Sequence, residues 1–233
     1  MKQKIFSIIA ALMVIIFLII VGRFGFTVVS IEDVQAAIQG ETFDPGAYID
    51  SIWTSALIPA FEKNAVDLKV ILTELEPEAD GTTPKDSLVA IANKHGLITV
   101  GESHVYMVKG SGTIINVNTE TSLGTAEITL DGYNGPIKVL LYIGTRIPSD
   151  ETSVRDAVGF ISFGDFKEQT EYGKVASEIN KRILSESLNA LDVDNLIGKT
   201  IDFKGAFSIR TFNLIQIELK EIKVVPVQIT LGE

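Results

Sequence analysis

From Leu97 onward the apolar residues recur at every second position, and this change of period constrains the fold more than any other feature of the chain. The runs LITVG, HVYMVKG, TIINVNT, TAEITLD and IKVLLYIG are separated by Gly, Asn and Asp, which reads as consecutive antiparallel strands. One helix interrupts them. Asp165 and Glu168 have the spacing of a D-x-x-E capping box, and Tyr172, Val175, Ala176, Ile179, Ile183 and Leu184 form its apolar stripe. KTIDFKGAFSI, NLIQIEL and IKVVPVQITL close the chain, and Pro226, without an N–H to donate, belongs on an edge strand or at a bulge. Strands, a helix and more strands, with no βαβ alternation, define an α+β class. The expected architecture of residues 97–233 is an antiparallel β-barrel-like domain, like the oligonucleotide/oligosaccharide-binding (OB) type, with an inserted α-helix.

Residues 30–96 read as a stalk followed by a small helical subdomain. Asp44-Pro45 is a helix start, with Asp as cap and Pro at the first helical position. Ile49, Ile52, Trp53, Ala56 and Leu57 make a stripe, and Pro59 should kink or restart the helix. Phe61, Ala65, Leu68, Leu72 and Leu75 keep helical spacing as far as Pro77. A further helix fits Lys85–His95, with Thr83 as cap, Pro84 at its first position and Gly96 as a left-handed stop.

The first 29 residues read as an address. Ile5 to Val21 is an uncharged run of 17 residues, the short end of what spans a bilayer. Lys2 and Lys4 in front of it hold the N-terminus cytoplasmic, which exports everything after it. The following Gly22-Arg23-Phe24 has no small-x-small pattern, so an uncleaved signal anchor is favoured over a cleaved signal or a buried helix.

The charge runs against nucleic acid. The chain carries 30 Asp+Glu and 20 Lys+Arg, and Lys2, Lys4 and Arg23 all precede the first acid, Glu32. The rest of the chain therefore holds 17 basic against 30 acidic residues, a net of −13. Phosphate backbones need the opposite balance. With no cysteine, disulfides, thiol nucleophiles and thiolate metal sites are excluded.

No motif assembles catalytic chemistry, and no cofactor or metal is expected. His95 and His104 are the two histidines, without H-E-x-x-H spacing, and His95 fits a helix C-terminus. Lys109-Gly-Ser-Gly-Thr113 lacks phosphate-loop spacing and reads as a hairpin turn. The densest segment runs from Arg155 to Tyr172. There Arg155, Asp156, Phe160, Phe166 and Tyr172, with Tyr106 from a strand, are the candidate ligand-binding residues. Aromatics and an arginine beside a helix start can grip a sugar or carboxylate. The competing reading makes the phenylalanines core and Arg155–Asp156 a structural ion pair.

Arg155-Asp-Ala with Phe160-Ile-Ser-Phe-Gly-Asp-Phe166 and Glu171-Tyr172 is joined by Phe43-Asp-Pro, Tyr48, Ser51-Ile-Trp53, Pro59-Ala60 and Gly198-Lys-Thr with Phe203 and Gly205-Ala-Phe207. This combination resembles the bacterial predicted periplasmic lipoproteins, domain of unknown function family 2291. The resemblance implies an exported protein with a helical subdomain beside a β-barrel-like α/β sandwich, and an accessory role beside a sugar-type ABC transporter. It implies no catalytic residues. Where the family name calls for a lipidated cysteine, this chain has Arg23 after Gly22, which favours anchoring by its own helix. The expected function is a membrane-anchored, extracytoplasmic, non-enzymatic transporter accessory or binder of a small, sugar-like ligand. The alternatives are an envelope protein–protein scaffold and a carboxylate-dependent hydrolase.

Overall fold

The computed structural model describes residues 43–232 apart from 76 and 79, and the fold below is that of the unit Asp44–Glu233. The apolar run at residues 5–21, and with it the expected anchor, lies outside the described residues.

Helix α1 (Pro45–Ile52) starts as the sequence dictates. The Asp44 carboxylate accepts the backbone N–H groups of Gly46 and Ala47 at 2.8 and 3.1 Å, and Pro45 occupies the first turn. The helix widens into a π-helical turn at Trp53–Leu57 and restarts as α2 (Ile58–Asn64), with Pro59 in its first turn. Pro59 has no N–H to give, so it is tolerated at a restart.

The helical spacing of Phe61 to Leu75 conceals a break. Ala65 is extended, Val66–Asp67 form β1, and α3 begins afresh over Leu68–Glu74. Asp67 makes the new start by accepting the Lys69 N–H at 3.0 Å. Thr82–Pro84 form β2, and Thr83 does not cap the following helix α4 (Lys85–His95). Its buried hydroxyl donates to the Leu75 carbonyl at 3.1 Å instead. Gly96 ends α4 in an extended conformation, φ −147°, not a left-handed one. The need for glycine there is contact: a Cβ would stand 2.4 Å from the Val105 carbonyl oxygen.

Seven further strands follow. They are β3 (Leu97–Ile98), β4 (Ser103–Asn118), β5 (Thr125–Leu130), β6 (Lys138–Tyr142), β7 (Thr200–Arg210), β8 (Gln216–Glu218) and β9 (Glu221–Leu231). Five of them close on themselves. β4 pairs β5, β5 pairs β6 and β9 pairs β7, all antiparallel, while β6 pairs β9 in parallel, and β7 returns antiparallel to β4. β8 leaves the ring to pair with β2.

The segment Lys109–Thr113 is not a turn. β4 is one strand of 16 residues, which pairs with β7 from Ser103 to Thr113 and with β5 from Gly112 to Asn118. Its glycines are explained by proximity. A Cβ on Gly112 would lie 2.3 Å from the Thr129 carbonyl oxygen, and one on Gly110 2.9 Å from the Phe203 ring. Pro226 sits where the β7–β9 register shifts, between Lys204 and Gly205, as its missing donor requires.

Between β6 and β7 the chain forms α5 (Ser153–Ala157) and α6 (Gln169–Ile183), the latter continuing through a π-helical turn to Leu188. The expected capping box is displaced. Ser162 and Asp165 close one on a 3-10 turn, and Glu168 with Glu171 close the one that starts α6. The stripe is as expected, with Val175, Ala176, Ile179 and Ile183 buried.

One core fills the ring, including Tyr106, Val108, Ile128, Leu141, Phe203, Phe207 and Val224. Ile49, Trp53, Leu57, Val154, Val175 and Ile179 are buried outside that cluster, where helices cover part of the ring's outer surface.

Candidate ligand-binding site

The structure brings four of the six sequence candidates together. The Arg155 guanidinium donates through Nε to Asp156 Oδ1 at 2.8 Å and through Nη1 to the Tyr172 carbonyl at 3.0 Å. Its Nη2 lies 2.7 Å from the same carboxylate oxygen, and the Arg155 and Asp156 side chains are 8% and 9% exposed. The guanidinium carbon stands 3.5 Å above the Tyr172 ring, whose hydroxyl donates to Asp156 at 3.1 Å. Thr152 donates to the other carboxylate oxygen at 2.7 Å. Phe166 leans on Tyr172 with ring centroids 5.6 Å apart. Burial, then the Asp156 charge, push the Tyr172 phenol above its ordinary value.

These contacts clamp α5 to the start of α6. The remaining two candidates stand apart from the clamp. Phe160 is 41% exposed. Tyr106 lies inside the ring, stacked on Phe207 at 4.9 Å, with a buried hydroxyl that meets no partner. Burial raises that phenol far above its ordinary value.

A cavity of about 1090 Å³ opens elsewhere, on the outer surface of β4, β7 and the end of β9. Register explains its floor. Lys109 stands opposite Lys204, which stands opposite Gln228, and two residues along the strands Ser111 stands opposite Asp202 and Asp202 opposite Thr230. Alternate residues share a face, so these rows point the same way. Trp53, Thr54, Ile58, Glu186, Ser187 and Ala190 line it from the helices.

Most charges around this cavity already have partners. Asp67 accepts from the Lys69 backbone and lies 3.3 Å from its ammonium. Glu186 accepts from the Trp53 indole at 2.7 Å and from Arg182 at 2.6 Å. Asp202 accepts from the Ser111 hydroxyl. The Gln228 carbonyl oxygen is buried without a donor. Among the described residues, no group of three His, Asp or Glu side chains is placed to hold a metal ion.

The sequence reading missed this site because it read Lys109–Thr113 as a turn. A signal was present: Lys109 and Lys204 each set a charge among the apolar residues of a strand, within HVYMVKG and within IDFKGAF.

His95 is placed as expected at the end of α4, with Nε2 3.1 Å from Glu74. Lys94 and His95 together hold the Glu74 carboxyl below its ordinary value.

Taking the ring strands as first to fifth, their order is 1-2-3-5-4-1, with helices between the third and fourth, an OB-like arrangement in an α+β protein. A crystal structure of an OB-fold protein from Thermotoga maritima superposes with a TM-score of 0.60 at 17% identity, covering 82% of this chain and 100% of that one. The chain belongs to the predicted periplasmic lipoprotein family, domain of unknown function 2291, whose model matches residues 14–230. No curated protein matches the sequence. The family's description agrees with an extracytoplasmic body. Among the described residues no helix is long and apolar enough to cross a membrane.

Proposed function

We propose that this protein is a non-enzymatic, extracytoplasmic binder of a small polar ligand, and that the ligand sits in the cavity on the outer surface of β4, β7 and β9. The observation that carries this reading is the cavity itself. Its volume of about 1090 Å³ is slightly above the usual range of small-molecule sites, and its floor offers hydroxyl, carboxylate, amide and ammonium groups in register. Such a set suits the hydroxyls of a sugar-like ligand. Residues 5–21 serve as the membrane anchor in this reading, and a sugar-type ABC transporter is the partner it serves. The Arg155, Asp156, Phe166 and Tyr172 cluster then braces the helices, and Phe160 and Tyr106 stand apart from it.

The test is a thermal-shift screen of the full chain in detergent against sugars and nucleosides. A ligand that binds only the native state raises the midpoint. Ala190→Trp, which fills the cavity wall, should remove the shift. A panel without any shift at millimolar concentration, or a shift that survives Ala190→Trp, overturns the reading.

A second reading has its own observation. Val100, Phe212 and Ile215 are 107%, 64% and 82% exposed, and the Thr211 N–H to Glu102 carbonyl bond ties their two loops together. An exposed apolar cluster of this kind suits docking to another envelope protein.

A further inference from the structure

We propose that the ligand of this cavity is an anion: a hydroxyl-rich molecule whose carboxylate or phosphate bridges the ammonium groups of Lys109 and Lys204. The proposal rests on the cavity being the ligand site and adds the chemical class of the ligand.

Lys109 and Lys204 are direct partners across β4 and β7. Directly opposed residues hold their Cβ atoms about 4.5–5.5 Å apart, and like charges so placed repel. Neither lysine meets a carboxylate within ion-pair distance among the described residues. Both belong to the cavity lining. The unit thus keeps two adjacent cations without an ion-pair partner, with Asp67 in register on the other side of Lys109 but paired with Lys69, although the chain beyond residue 30 carries a net of −13.

Sorting the cavity's charges by engagement shows where its cationic end lies. Asp67 and Lys69 satisfy each other, Glu186 is held by Trp53 and Arg182, and Asp202 is held by Ser111. Among the described residues, the lining carboxylates Asp131 and Asp202 have no cationic partner, and Lys109 and Lys204 have no anionic one. Positive charge is gathered in the Lys109–Lys204 row, and the carboxylates without a cation stand by the Ser111 row, Asp202 in it and Asp131 bonded through its backbone N–H to the Ser111 carbonyl. Two lysine stems are long and flexible enough to close on the oxygens of one anion.

The neighbouring groups suit the rest of such a molecule. Gln228 is next in the lysine row, and its buried carbonyl oxygen has no donor. A turn about its last torsion offers that amide to a ligand hydroxyl. Ser111, Asp202 and Thr230 form the adjacent row and present hydroxyl and carboxylate groups to further hydroxyls. The anionic end lies at the lysines and the polyol end at this second row. Sugar acids and sugar phosphates have that shape.

The experiment titrates the full chain in detergent with glucuronate, glucose 6-phosphate and neutral glucose, reading the thermal midpoint and the fluorescence of the single tryptophan, Trp53. One or both anions should bind at least about tenfold more tightly than glucose. Lys109→Met/Lys204→Met should lose that preference while its unliganded midpoint stays at or above that of the wild type. Lys109→Arg/Lys204→Arg should keep it. Glucuronate acting alone assigns a carboxylate, and glucose 6-phosphate acting alone assigns a phosphate. The proposal is overturned if glucose binds as tightly as both anions, if the methionine variant binds them unchanged, or if neither anion binds. Glucose binding that Ala190→Trp abolishes leaves the cavity reading standing while the anion proposal falls.

Discussion

The guanidinium of Arg155 lies 3.5 Å above the ring of Tyr172 while it is hydrogen-bonded to the carboxylate of Asp156 beside it. One side chain thus joins an ion pair, a carbonyl bond and a ring stack that connect α5 with α6. Removing it leaves a nearly buried carboxylate, and that penalty dominates the others. Arg155→Met should cost about 3–5 kcal/mol, the range for breaking a buried pair. Arg155→Lys keeps the charge, loses the planar fork and should cost less. Urea unfolding of both variants checks the order. Equal losses for Met and Lys would show that shape, not charge, holds the clamp.

Two glycines, Gly112 and Gly173, should respond to alanine with opposite signs. Gly112→Ala drives a methyl to 2.3 Å from the Thr129 carbonyl oxygen, so β4 and β5 must separate. Overpacking of this kind costs about 1–3 kcal/mol. Gly173 lies within α6, and a Cβ there meets nothing within 4 Å. Gly173→Ala should stabilise by about 0.5–1 kcal/mol, because alanine loses less conformational entropy in a helix. Thermal midpoints of the two variants decide the matter.

His104 gives the fold a pH dependence. Its ring is 1% exposed, and burial, with Lys85 nearby, lowers its pKa from 6.5 against the opposing pull of Glu102. Thr211 donates its hydroxyl proton to the Glu102 carbonyl at 2.7 Å, which leaves its oxygen to accept from His104 Nε2 and leaves Nδ1 bare. The folded ring refuses a proton that the unfolded chain accepts, so stability is full above about 6.5 and falls as the pH drops below it. Unfolding midpoints between about pH 7.5 and about pH 5 should decrease, and His104→Gln should flatten the slope. An unchanged slope would assign it to other groups. Glu74, Asp80 and Asp150, all lowered by hydrogen bonds, lose their contribution only in the more acidic carboxylate range.

Trp53 should report on the cavity as well as hold it. The indole is 2% exposed, borders the cavity and donates to Glu186. Trp53→Ala should cost about 3–5 kcal/mol, as for other large core deletions. Trp53→Phe keeps most of the packing and loses the charge-assisted bond, which in this partly exposed setting costs about 1 kcal/mol. Denaturant titration gives both values, and a phenylalanine variant as unstable as the alanine one would contradict the packing argument.

The strands, the helix stripe and the α+β class were legible because period and punctuation are local properties. Asp44 capped its helix and Pro226 found its register shift for the same reason. What escaped was decided at a distance. Ala65 to Leu68 has helical spacing, yet Val66 and Asp67 leave the helix to lie beside Val108 and Lys109. Thr83 has a capping side chain, but Leu75 takes its hydroxyl. The glycines of Lys109–Thr113 suggested a turn, whereas close contacts with Phe203 and Thr129 require them inside a strand. The candidate residues near Arg155 could be picked out because they crowd one segment. The cavity draws on segments from Trp53 to Leu231 and is visible only once register is known.

The alternation of residues along β4 carries a consequence for how such a protein can change. Gly110 and Gly112 face neighbours too close for any side chain, while Lys109 and Ser111, in the intervening positions, face the cavity. Within these four residues, folding fixes the even-numbered positions and leaves the odd-numbered ones open. A chain of this fold can therefore be retuned to a new ligand by replacing odd positions alone, with the ring that carries them undisturbed.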